Sequence, residues 1–314
     1  MLDIRDEILK LKKEKDALIL AHFYEDGEIQ EIADHVGDSY FLAETGMKSS
    51  NKVILLAGVV FMGESVKILS PDKKVLVPDL KAGCSLVTTS PFAKYKAWKE
   101  DHPNSVVMTY INSSAEVKSI SDVICTSSNA EKILNSIPRE KTILFGPDKN
   151  LGAWLSKKFD RPMEFWDGTC EVHVLFTAQE LYKLKTENPE AVVIAHPECN
   201  PDVLEHADVI GSTSRLLKEV ETNPAKKFIV ATEDGIFHQM KKLRPEVELI
   251  QAPTGTHCAC NQCPYMKLNT LEKIRNSLAT LSPEIKLDPS IVEKARIPLQ
   301  RMVDITQGKS VSWN

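Results

Sequence analysis

Long apolar runs are missing from this chain of 314 residues. The longest, Val53 to Met62, is too short to span a bilayer and reads as a buried strand. A basic block is missing too: 39 basic against 44 acidic side chains leave a net charge of −5, which gives nucleic-acid binding little support. No Walker or dinucleotide fingerprint appears, since Gly58-Val59-Val60-Phe61-Met62-Gly63 lacks the glycine spacing. There is no low-complexity linker, and Met1 to Arg5 open a charged amphipathic helix rather than a secretory signal. With no such signal, seven cysteines suggest a reducing compartment and thiols kept for packing or metal. The expectation is a cytoplasmic protein without membrane or nucleic-acid partners.

What is present is a repeat. The apolar runs Ala17–Ala21, Val106–Thr109 and Val192–Ala195 end at His22, Tyr110 and His196. An aspartate follows 12 residues later each time (Asp34, Asp122, Asp208), and a hydroxyl at 17 (Ser39, Ser127, Thr213). At 36 a second apolar run ends, at Gly58, Gly146 and Thr232. The period is 86 to 88 residues and needs no gap over this span, so the chain is an internal triplication. Each unit reads strand, helix, short strand, helix, strand, helix, strand; in the first, the helices fall on Glu28–Val36, Tyr40–Lys48 and Val60–Leu69.

The expected fold is therefore α/β: three similar three-layer α/β/α domains with parallel sheets, related by pseudo-threefold symmetry. Their expected bounds are 1–87, 88–174 and 175–266, with residues 267–314 folding back as a helical cover over the first. Ligands of open α/β sheets bind beyond the carboxyl ends of the strands, which places the active site at the shared centre.

The cysteines divide along the same lines. Cys84 and Cys170 stand 62 and 60 residues after their repeat starts; Cys258, Cys260 and Cys263 stand 62, 64 and 67 after theirs. One thiolate per unit around a common axis suits a [4Fe–4S] cluster with an open iron, and spacing alone nominates Cys258 in the third unit. The competing reading is a structural zinc knuckle of His257, Cys258, Cys260 and Cys263 in a non-catalytic binding protein. Cys125 and Cys199 read as packed residues, and His35, His102, His206 and His238 as surface or cap residues.

A lone histidine at a strand end is usually packed or exposed. Three equivalent positions with polar rings, His22, Tyr110 and His196, point instead to function. Tyr24, Asn112 and Glu198 lie two residues further on and offer a phenol, an amide and a carboxylate. Ser39, Ser127 and Thr213 read as helix N-caps, whose free N–H groups would also attract an anionic ligand.

The stretches ALILAHFY, GDSYFLAE, GVVFMGESVKILSPDKKVLVPDLKAGCSL, SAEVKSISDVICTSSNA, FGPDKNLGAW, HPEC, ADVIGSTS and CPYMKLNTLEKI resemble the quinolinate synthase family of bacterial de novo NAD biosynthesis. That resemblance implies three α/β domains around one [4Fe–4S] cluster per chain. It implies condensation of iminoaspartate with dihydroxyacetone phosphate to quinolinate, with loss of phosphate and two waters. An aspartate oxidase or dehydrogenase would supply the imine. By motif, the cluster ligands would be Cys84, Cys170 and Cys263, the last chosen by its CPYM context. The substrate-binding residues would be His22, Ser39, Tyr110, Asn112, Ser127, His173, His196, Glu198, Ser212 and Thr213, with Tyr24, Tyr110 and Glu198 catalytic. A Cys258–Cys260 or Cys260–Cys263 disulfide would be a further, redox-active feature.

Overall fold

The computed structural model describes residues 3–255 and 261–313. Short runs rich in Val, Ile and Leu form the strands, and most of their residues are buried on both faces, as parallel strands between helices must be. The first unit is α1 (Ile4–Glu14), β1 (Ala17–His22), α2 (Gly27–Ile32), β2 (His35–Gly37), α3 (Ser39–Lys48), β3 (Val53–Ala57), α4 (Val60–Leu69) and β4 (Lys74–Leu76). After α5 (Ser85–Thr89), the second runs α6 (Phe92–Glu100), β5 (Val106–Tyr110), α7 (Ala115–Ser119), β6 (Val123–Cys125), α8 (Ala130–Ser136), β7 (Ile143–Gly146), α9 (Lys149–Phe159) and β8 (Glu164–Phe165). The third is α10 (Ala178–Glu187), β9 (Val192–Ala195), α11 (Pro201–Leu204), β10 (Val209–Ile210), α12 (Thr213–Thr222), β11 (Lys227–Ala231), α13 (Ile236–Leu243) and β12 (Glu248–Gln251).

Each unit holds one four-stranded sheet, and all three share one strand order: β2-β1-β3-β4, β6-β5-β7-β8 and β10-β9-β11-β12. Every pairing within them is parallel. The α/β triplication expected from the sequence is what the chain adopts.

The repeated aspartates explain how the short strand is fixed. Asp34, Asp122 and Asp208 each accept the backbone N–H of Ile19, Val107 or Val193 at 2.8 Å. Their own N–H groups donate back to the same three residues' carbonyls at 2.8, 3.0 and 2.9 Å. A carboxylate thus closes the ladder where the short strand begins and satisfies a donor at the start of the long one. This corrects the first unit's expected helix over Glu28–Val36: α2 ends at Ile32, and Val36 belongs to β2.

Two helices follow the third unit. α14 (Leu271–Thr280) lays Ile274 and Leu278 over the apolar face of the first sheet beside Ile8 of α1. α15 (Pro289–Thr306) packs Ala295, Leu299, Met302 and Val303 between α4 of the first unit and α7, α8 and β6 of the second. Between them, the Ile285 N–H donates to Val75 O at 2.8 Å and covers the edge of β4.

Candidate active site

The carboxyl ends of β1, β5 and β9 converge on one cavity. Its wall includes His22, Tyr24, Ser39, Cys84, Tyr110, Asn112, Ser127, Cys170, His173, His196, Glu198, Thr213 and Cys263, so the expected site residues from all three units meet. Ser212 is the exception: it is the N-cap of α12, where its hydroxyl accepts the Arg215 N–H at 3.3 Å. The expected N-cap roles also shift by one. Asp38 caps α3 and Ser212 caps α12, which leaves Ser39 and Thr213 as first helical residues facing the cavity. Ser127 lies in the turn before α8, which starts only at Ala130.

The repeat reaches into side-chain detail. His22 Nδ1 accepts the Tyr24 N–H at 3.2 Å, and His196 Nδ1 accepts the Glu198 N–H at 3.4 Å. An imidazole that accepts at Nδ1 carries its proton on Nε2. Burial pushes both His22 and His196 down to about 3, although Glu198 pulls each upward, so both rings are neutral near pH 7.

One hydrogen-bonded chain crosses all three units. The Tyr110 hydroxyl donates to Glu198 Oε1 at 2.5 Å, and Glu198 Oε2 lies 2.9 Å from His173 Nδ1. His173 Nε2 is 2.9 Å from Thr232 Oγ1, which is 2.8 Å from the Tyr24 hydroxyl; that hydroxyl is in turn 3.3 Å from Thr213 Oγ1. Burial opposes ionisation of Glu198, but His196, His173 and the Tyr110 hydroxyl outweigh it and hold the carboxyl well below its usual range. Burial, then Glu198, pushes both Tyr24 and Tyr110 well above the ordinary phenol value. The pocket therefore sets an ionised carboxylate and two protonated phenols on one chain. Thr232 lies outside the expected residues. Its signal in the sequence is that the third unit has a hydroxyl where the others have Gly58 and Gly146.

The remaining wall is mostly apolar, with Val59, Phe61 and Met62 at the start of α4, and also includes Asp38 and Thr126. No Lys or Arg is among the described residues that line the cavity.

Cys84, Cys170 and Cys263 are free thiols, one from each unit. Burial pushes Cys84 up to about 12, Cys263 up to about 11, and Cys170 well above the ordinary 9. The protein alone thus keeps them protonated; a soft cation among them would make them thiolates. Three such donors around one cavity fit an iron–sulfur group, and Cys170, His173 and Glu198 place ligand atoms within 4.8 Å of one another, a group compatible with metal binding. Of the expected zinc knuckle, His257, Cys258 and Cys260 lie outside the described residues, as does the suggested disulfide. Cys125 and Cys199 are buried packing residues, the latter donating its thiol to Ala231 O at 3.4 Å. Of the histidines read as surface or cap residues, His35 and His206 are exposed and His102 and His238 half-buried.

A model of the quinolinate synthetase A protein family matches residues 6–304. The chain is 48% identical over 310 residues to a quinolinate synthase of Prochlorococcus marinus (strain MIT 9303), covering 99% of this chain and 93% of that one. It is 50% identical over 305 residues to the quinolinate synthase of Nostoc punctiforme, covering 97% and 94%. Over 307 residues it is 47% identical to that of Chloroherpeton thalassium, covering 98% and 95%. No helix among the described residues is long and apolar enough to cross a membrane. With the repeat, the shared cavity and these matches in agreement, the chain belongs to the quinolinate synthase family and is an enzyme of NAD biosynthesis.

Proposed function

We propose that the cavity condenses iminoaspartate with dihydroxyacetone phosphate to quinolinate, phosphate and two waters. A [4Fe–4S] cluster on Cys84, Cys170 and Cys263 would serve the reaction. The sum balances in every atom and needs no external oxidant or reductant. The observation that carries this reading is the pairing of three convergent thiols with a cavity wall that has no Lys or Arg among its described residues. Both substrates are anionic, so their charge must be met by helix starts, hydrogen-bond donors and a Lewis-acidic metal position. When bound, the cluster's unligated iron supplies a Lewis acid for a substrate oxygen or nitrogen.

The chain's own groups divide the remaining work. Ser39 and Thr213, at the first positions of α3 and α12, offer hydroxyls beside free helix N–H groups for carboxylate or phosphate, and Ser127 and Asn112 add donors from the second unit. Glu198, held ionised, is the base placed to take a proton from a substrate carbon. Tyr24, held protonated, is the acid placed to give one to a departing hydroxyl, and the Thr232 and Thr213 hydroxyls flank the resulting phenolate oxygen. His173 bridges the two groups, with one ring nitrogen on Glu198 and the other on Thr232. Tyr110 holds the second Glu198 oxygen, which fixes the direction from which the base approaches. The neutral Nε2–H groups of His22 and His196 orient substrate without adding charge. Phe61, Met62 and Val59 exclude water from an imine that water would hydrolyse.

Anaerobic reconstitution followed by addition of both substrates tests the reading. The protein should turn brown with about four iron and four sulfide per chain and should release quinolinate. A colourless, iron-free protein, or a brown one that forms no quinolinate, contradicts it.

A further inference from the structure

Two fully buried carboxylates stand outside the cavity wall and beside the thiols. Asp148 Oδ2 accepts the backbone N–H of Cys170 at 3.1 Å, while its Oδ1 caps α9 through the Leu151 N–H at 2.8 Å. Glu233 Oε1 accepts the backbone N–H of Cys263 at 3.3 Å, while its Oε2 accepts the Gly235 N–H at 2.7 Å. They occupy matching places, each just after the third strand of its unit (β7 or β11). A second clip recurs in units one and two. The Val60 N–H donates to Ala82 O and the Lys149 N–H to Gly168 O, both at 2.8 Å; each carbonyl belongs to the residue two before a cysteine, Cys84 or Cys170.

We infer that Asp148 and Glu233 are positioning residues for the metal centre: each fixes one cysteine's backbone by taking its N–H, and so withholds that N–H from the cluster's sulfurs. The inference rests on the cluster proposed above. Neither carboxylate lines the cavity, so neither is in place to touch substrate. Each is a costly group to bury, and the bonds to the cysteine loops account for where they sit. Hydrogen bonds to sulfur and nearby net charge set the potential of an iron–sulfur cluster. A carboxyl oxygen that occupies the N–H keeps that hydrogen bond from the cluster's sulfurs, which favours the oxidised cluster. Lys267 lies against the Glu233 clip. Its Nζ lies 3.3 Å from Glu233 Oε1 and 2.9 Å from both Asp26 Oδ1 and the Tyr24 carbonyl. The Cys263 clip is thereby joined to the backbone of Tyr24.

Asp148→Asn and Glu233→Gln keep the size of the side chain and replace one of its two acceptor oxygens by an NH2, which cannot accept a backbone N–H. Asparagine is itself a favoured N-cap. The full-length variants and the parent are reconstituted anaerobically with iron and sulfide, and three quantities are read. These are iron per chain, the rate at which EDTA bleaches the brown colour, and the midpoint potential of the cluster by EPR-monitored titration. Far-ultraviolet circular dichroism of the apoproteins checks the fold. Both variants should fold, lose the cluster to EDTA on the order of tenfold faster, and show midpoints shifted to more positive potential. Bleaching rates and midpoints equal to the parent's overturn the inference. So does faster bleaching with an unshifted midpoint, which marks a merely structural role. A parent that takes up no iron overturns the cluster reading itself, and the two failures are thereby distinguished.

Discussion

Glu198 reaches its neighbours with both oxygens, one held by Tyr110 and the other by His173, in a place where only 3% of its surface is exposed. Replacing it with glutamine should keep the fold and the iron but lower kcat by on the order of 10²–10⁴, the usual worth of a positioned base; equal kcat in steady-state assays would remove it from the chemistry. Thr232→Val keeps the side chain's shape and deletes the hydroxyl between Tyr24 and His173. It should lower kcat at least tenfold on the same scale of acid–base contributions, with KM for dihydroxyacetone phosphate little changed. A KM effect alone would assign Thr232 to binding. Spacing in the sequence found Glu198 and Tyr24 because they stand two residues past repeated strand ends. Thr232 was harder to see, because its two partners, Tyr24 and His173, belong to other units and only folding brings them together.

A second residue-scale expectation concerns Glu25, which burial pushes up to about 8 from an ordinary 4.5, partly offset by a 2.8 Å bond from Asn269. Between those two values the folded protein holds a proton that the unfolded chain has released. Stability from this group is therefore full below pH 4.5 and is lost as pH rises through about 8. Glu25→Gln should flatten the fall in Tm between pH 6 and pH 8.5 relative to the parent, on the order of 2–8 °C. An unchanged slope would contradict the assignment.

At the scale of elements, the three aspartate clips decide where helix gives way to strand. Ile29, Ile32 and Val36 continue a helical spacing, which is why the sequence reads as helix through Val36. The competing signal is Asp34, whose two hydrogen bonds with Ile19 draw the chain into β2 instead. Its meaning was visible only as a repeated letter 12 residues past each strand end, not as a ladder closure. The same shift of one residue moved the caps to Asp38 and Ser212, since an N-cap is defined by backbone angles that spacing does not reveal. Asp122→Ala should destabilise the protein by about 1–3 kcal/mol in chemical denaturation, because it strands the buried Val107 N–H. Quinolinate formation at 25 °C should stay near the parent's rate; a large loss would mean the clip also shapes the site.

For the whole molecule, the triplication was legible because each unit repeats the same strand-end chemistry without gaps, and the fold follows it strand for strand. Less legible was the choice of third thiol. Counting from His196 selects Cys258, whereas the CPYM context selects Cys263; Cys263 lies on the cavity wall with Cys84 and Cys170, and Cys258 lies outside the described residues. Iron and sulfide counted on single cysteine-to-serine variants after anaerobic reconstitution test this most directly. The parent should hold about four iron per chain, as should Cys258→Ser and Cys260→Ser, whereas Cys84→Ser, Cys170→Ser and Cys263→Ser should lose the cluster. Metal that survives Cys84→Ser and Cys170→Ser but is lost in Cys258→Ser and Cys260→Ser would contradict this assignment.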